Sequence, residues 1–97
     1  MGKKKFTLDA NNFSNIGEFY TEIQKTLTDD SFNIGRNLDA LVDVLRGGFV
    51  KYELGEEITI VWKNFEKSKK DFNSTPNILN SILEIFEEAE NVELIKE

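Results

Sequence analysis

The sequence predicts an α/β fold: a small three-stranded parallel sheet packed with helices. Short strand-like segments at residues 5–8, 58–62 and 92–95 alternate with stretches of helical periodicity. The middle segment, Ile58-Thr59-Ile60-Val61-Trp62, is a nearly continuous β-branched run, the pattern of a central strand covered on both faces. Strands that alternate with helices pair in parallel through right-handed crossovers, which places Phe6, Ile60 and Leu94 in one sheet. No internal repeat or low-complexity segment interrupts the pattern, so residues 1–97 read as a single domain.

Taken in order, Lys3-Lys4-Lys5 is a solvated start to the first strand, and Asp9-Ala10-Asn11-Asn12 is a polar loop. Residues 13–27 have helical spacing, with Ile16, Phe19, Tyr20, Ile23 and Leu27 on one face. Ser14 can cap this helix, and Gly17 is a weak spot inside it. Residues 28–34 form a loop, in which Asp29-Asp30 suits a turn or cap.

The next stretch organises the chain. Gly35 permits a tight bend, and Asn37 is a good N-cap, because its side-chain oxygen accepts an otherwise unpaired backbone N–H. Leu38, Leu41 and Leu45 form an apolar stripe with Val44 at its edge. Gly47 or Gly48 suits the residue just past the helix end. Asp39 and Asp43 stand one turn apart on the other side, where their mutual repulsion does nothing for an isolated helix.

Residues 47–57 join this helix to the middle strand. Phe49 and Tyr52 within the connection suit either an interface, where aromatics are enriched, or the core. Residues 64–72 predict a short helix with Phe65 and Phe72 inward. Thr75 and Pro76 mark the next helix start, as N-cap and first helical residue. Ile78, Ile82, Ile85, Phe86 and Ala89 make its buried stripe. Asn77, Ser81, Glu84, Glu87 and Glu88 are polar, and Asn91 closes the helix before the last strand.

The chain holds 12 basic and 18 acidic residues, a net charge of −6, with 39% hydrophobic residues and eight Phe. That is a folded globule with no basic face for direct nucleic-acid binding, and it suits a basic partner. Cysteine and histidine are absent, which excludes disulfides, Cys/His zinc sites and the commonest general base. No apolar run has the length of a membrane span, and the N-terminus lacks a signal-peptide core or a myristoylation pattern. A cytoplasmic protein, monomeric when free and without a cofactor, is the expectation. Asp39, Asp43 and Glu88 could serve acid–base chemistry or a divalent ion. No phosphate loop, nucleophile elbow or metal-spaced ligand set accompanies them, so an enzyme is not expected.

Gly35-Arg36-Asn37-Leu38-Asp39-Ala40-Leu41, followed by Asp43, Leu45 and Gly47, resembles the core motif of the barstar family of ribonuclease inhibitors. Val61-Trp62-Lys63-Asn64-Phe65-Glu66-Lys67-Ser68-Lys69 resembles that family's strand-to-helix segment. Ser81-Ile82-Leu83-Glu84-Ile85-Phe86-Glu87-Glu88-Ala89 resembles its last helix. The resemblance implies that the central helix and its preceding loop plug the active site of a basic, extracellular-type ribonuclease. Asp39 and Asp43 match the family's two helix aspartates, Asp43 the principal phosphate mimic, and Glu88 its third acidic contact. The implied partner-binding set is Asn33, Gly35, Asp39, Val42, Asp43, Gly47 and Glu88, with Phe32, Phe49 and Tyr52 as further loop contacts.

Three departures accompany the match. Val42 stands where the best-known members carry Trp. Asn33 or Phe32 aligns with an aromatic, and the 47–57 connection is longer than usual. The alternative on the same fold is an immunity or regulatory protein whose basic partner is not a ribonuclease.

Overall fold

The computed structural model describes residues 3–28, 34–48 and 50–97. Strand β1 (Lys4–Asp9) leads through a 3-10 turn (Ala10–Asn12) into α1 (Ile16–Leu27) and α2 (Leu38–Arg46). Then follow β2 (Ile58–Lys63), α3 (Phe65–Asp71), α4 (Pro76–Glu88) and β3 (Val92–Lys96). The strands form one sheet in the order β1-β2-β3, both pairings parallel, with Phe6 opposite Ile60 and Ile60 opposite Leu94. Each parallel pairing needs a crossover; α1 and α2 lie in the first, α3 and α4 in the second.

The predicted α/β class and parallel sheet are therefore those of the structure. β2 is the central strand, and Ile58, Ile60, Val61 and Trp62 are all buried. Ile58, Ile60 and Trp62 enter the main core, while Val61 alternates away from it, between Thr7 and Ile95 in register. Trp62 is wholly inaccessible, and its Nε1–H donates to the buried Ser68 hydroxyl at 3.0 Å. A buried indole N–H needs such a partner, and α3 supplies it one turn after the strand ends.

Several local expectations shift. Residues 10–12 are a 3-10 turn rather than open loop, because the Asp9 carboxylate accepts from the Asn11 N–H at 2.9 Å and caps it. That bond, then the Asn64 amide, holds the Asp9 carboxyl below the usual carboxylate range. α1 begins at Ile16, so the cap is Asn15 and not Ser14. Asn15 Oδ1 accepts from Glu18 N at 2.9 Å, and the Glu18 carboxylate reaches back to Ser14 N at 2.8 Å. This reciprocal pair is close kin to the capping box. Phe13, left outside the helix, packs into the core at 1% exposure.

At α4, Pro76 starts the helix as predicted, but the Thr75 side chain makes no cap hydrogen bond. The most buried stripe is Leu79, Ile82 and Phe86, with Ile78, Ile85 and Ala89 only half-buried against the core. α4 ends at Glu88 with Ala89 as its C-cap, so Asn91 does not close it. At α3, Phe72 is buried and Phe65 half-buried.

Candidate protein-binding face

α2 is short, so its position depends on what holds its ends. Asn37 is its cap: the side-chain oxygen accepts from Ala40 N at 2.8 Å. Gly35 lies just before, where an added Cβ would come within 3.1 Å of the Ala40 methyl. At the far end Gly47 has φ +87 and ψ −162, a conformation essentially restricted to glycine. A Cβ there would lie 2.5 Å from the Glu53 carbonyl oxygen and 2.7 Å from the Tyr52 ring. Gly47 is thus demanded by the fold at that point.

The helix has the two unlike faces the sequence predicts, rotated slightly. Leu41, Val44 and Leu45 are buried, while Leu38 is 37% exposed and overhangs a shallow apolar depression with Ile16, Tyr20 and Ile78. The first turn of α2 therefore projects past the core it was expected to cover. Asp39 and Asp43 are exposed and Val42 is half-buried.

α2 packs against α4, and between their C-terminal halves runs an open groove of about 640 Å³. Val42, Leu45, Ile85 and Ala89 supply its apolar surface, with Arg46, Glu57, Glu88 and Glu90 among the charged residues around it. The fold thereby brings Val42 and Glu88, far apart in sequence, into one concavity beside the helix that carries Asp39 and Asp43. Among the described residues, none of these three acids is in an ion pair. No group of three or more Asp or Glu among the described residues is placed to hold a metal ion. Such carboxylates on a ridge, next to a groove of mixed apolar and charged lining, suit a cationic protein surface: they accept charge-assisted hydrogen bonds while the apolar part of the groove accepts side-chain volume.

The remaining expected contacts are distributed differently. Gly35 is exposed at the start of α2, and Gly47 is buried behind its end. Asn33, Phe32 and Phe49 lie outside the described residues. Tyr52 is corrected: it folds back on the core at 2% exposure and is no surface contact. Its ring centroid is 5.5 Å from that of Phe6, and its hydroxyl donates to the Val44 carbonyl at 2.6 Å. That burial pushes the phenol pKa up.

The long connection is consequently built into the domain. Lys51 N donates to Leu27 O at 2.9 Å, and Gly48 N to Tyr52 O at 2.9 Å. Within it, the Glu56 carboxylate accepts from Glu53 N and from Lys4 Nζ, which keeps its pKa low, the backbone bond counting most.

Sequence reasoning missed Arg46, Glu57 and Glu90 as groove residues, and it missed the role of Asn91. That side chain donates to Leu45 O at 2.8 Å and to Glu56 O at 3.1 Å. An Asn after a helix signals only a cap; acceptors distant in the chain leave no local mark.

A family model described as Barstar (barnase inhibitor) matches residues 3–94, nearly the whole chain. No curated protein matches it.

Proposed function

Because this chain belongs to the barstar family, we propose that it is an intracellular inhibitor of a basic, barnase-like ribonuclease. The observation that supports this reading best is the α2 ridge: Asp39 and Asp43 are exposed, in no ion pair among the described residues, and on the helix that lines one side of a groove edged by Glu88. A ribonuclease site is basic because it binds RNA phosphate. A carboxylate presented on a rigid helix can occupy the phosphate position and accept two parallel hydrogen bonds from an arginine. Asp43, in the last turn of α2, takes that principal role, with Asp39 one turn earlier and Glu88 across the groove as flanking contacts. Val42, where the best-known members carry Trp, lines the groove with a smaller side chain and leaves room there for a side chain of the partner.

The test is inhibition of RNA cleavage by a purified basic ribonuclease of this class, with association rates measured across a salt series. Association should slow as salt shortens the screening length below about 8–10 Å. Asp43→Asn keeps the shape and removes the charge, leaving partner cations buried and unpaired, and should weaken inhibition by about a hundredfold. Asp39→Ala and Glu88→Ala should weaken it less. None of the three should lower folding stability, since each acid is exposed and relieving the Asp39–Asp43 repulsion is mildly favourable. An Asp43→Asn protein that inhibits as tightly as the parent at low salt refutes phosphate mimicry.

A further inference from the structure

α2 is held at both ends by distant parts of the chain. At its start, the Arg36 guanidinium donates to Gly17 O at 2.6 Å and to Thr21 Oγ1 at 2.8 Å, both on α1. At its end lie carbonyls that a helix cannot satisfy within itself. Val44 O accepts from the Tyr52 hydroxyl at 2.6 Å and from Gly47 N at 3.1 Å. Leu45 O accepts from Asn91 Nδ2 at 2.8 Å, and Arg46 O from Gly55 N at 2.7 Å.

Asn91 does more than fill one acceptor. Its amide also reaches Glu56 O at 3.1 Å, and its own backbone carbonyl accepts from Ile58 N at 2.8 Å. One residue therefore joins the end of α2, the 47–57 connection, the start of β2 and the turn after α4. Because both side-chain acceptors are carbonyls, only the NH2 end of the amide can face them, so its orientation is dictated. Neither aspartate nor leucine can replace these two donors.

We propose that Asn91, together with Tyr52, positions the acidic face: the pair sets where the last turn of α2, which carries Asp43, stands against α4, which carries Glu88. The functional consequence rests on the ribonuclease-inhibitor reading. Paired hydrogen bonds between a carboxylate and a guanidinium tolerate little displacement, and a ridge already fixed before binding loses little freedom on binding. Loosening that ridge leaves the long-range charge unchanged. The association rate therefore stays as it was, and the dissociation rate rises.

Asn91→Leu is the test, since it keeps the size and net charge and removes both donors. Ile60→Val, a core change in β2, serves as a control that lowers stability and removes none of the hydrogen bonds at the end of α2. Asn91 also lines the groove, so amide hydrogen exchange is measured on the free protein, where no partner contact contributes. In Asn91→Leu the amides of the last turn of α2 should exchange at least about tenfold faster relative to those of β2. Dissociation from a basic ribonuclease should quicken by about tenfold, with association and its salt dependence unchanged.

Ile60→Val should change neither the ratio of α2 to β2 exchange nor dissociation. Tyr52→Phe, which removes only the bond to Val44, should shift both readouts in the same direction by less. It decides the matter if Asn91→Leu does not fold. The proposal is overturned if α2 exchange keeps pace with β2 in these variants, or if their dissociation matches that of Ile60→Val. A parent chain that binds no such ribonuclease refutes the inhibitor reading, and exchange alone then decides whether the Asn91–Tyr52 lock fixes α2.

Discussion

Trp62→Ala removes the centre of the aromatic cluster. The indole is fully buried, and the ring centroids of Phe13, Phe19, Phe65 and Phe86 lie 5.8, 5.7, 5.2 and 5.9 Å from its own. Truncating a buried Trp costs about 3–5 kcal/mol from lost transfer energy and the cavity left behind. The Ser68 hydroxyl, 0% exposed and bonded to the indole N–H, then loses its partner, which adds about 1–3 kcal/mol. Partial collapse offsets some of this, so the total is about 4–6 kcal/mol, a large share of the roughly 5–15 kcal/mol that holds a domain of this size together.

At a urea m-value of about 1.5 kcal/mol/M, the midpoint should fall by about 3–4 M. Trp62 is the sole tryptophan, so the unfolding of the variant is followed by far-ultraviolet circular dichroism instead of fluorescence. Trp62→Phe retains a ring in the cluster but leaves Ser68 unpartnered, and should lose about 1–3 kcal/mol. A midpoint shift below about 1 M for Trp62→Ala would show that the cluster does not carry the fold.

Two further outcomes test the frame around the site. Gly47→Ala should lower the urea midpoint far more than Gly55→Ala: both have positive φ, but a Cβ at Gly47 meets the Glu53 carbonyl oxygen at 2.5 Å, whereas at Gly55 it meets nothing within 4 Å. Conformational strain alone is worth about 1–2 kcal/mol at Gly55, and equal losses at the two sites would contradict this. For Asp9, the bond from Asn11 N–H, and then that from the Asn64 amide, lower the folded pKa below the unfolded value near 3.9. Its contribution is complete above that unfolded value and is lost as pH falls through the lower folded one. Asp9→Asn should therefore flatten the acid side of the stability profile below about pH 4, and an unchanged profile measured by urea midpoints would refute the assignment.

What the sequence makes legible are features that act within one element. The apolar run of β2, the Asn37 cap and the break at Gly47 each depend on neighbours a few residues away, and each stands where expected. Even the displaced start of α1 left a local trace, since Asn15 followed by Glu18 is a better capping pair than Ser14 with Gly17. Leu38 shows where such reasoning ends: periodicity says which residues share a face, but not whether that face extends beyond its support.

Tyr52 and Asn91 lie further out of reach. An aromatic in a loop suits a surface or a core equally well, and what decides is room for a second donor on the Val44 carbonyl, which exists only once α2 has formed and ended. The bond from Asn91 to Leu45 spans 46 positions and leaves no periodic or spacing signal. The motif thus holds Asp39 and Asp43 together with Arg36, Asn37 and Gly47 at the ends of their helix, while Tyr52 and Asn91, which bond to its last carbonyls, lie outside it. On the proposed positioning role, variants that keep Asp39, Asp43 and Glu88 but differ at positions 52 and 91 should separate by dissociation rate, and equal rates would refute it.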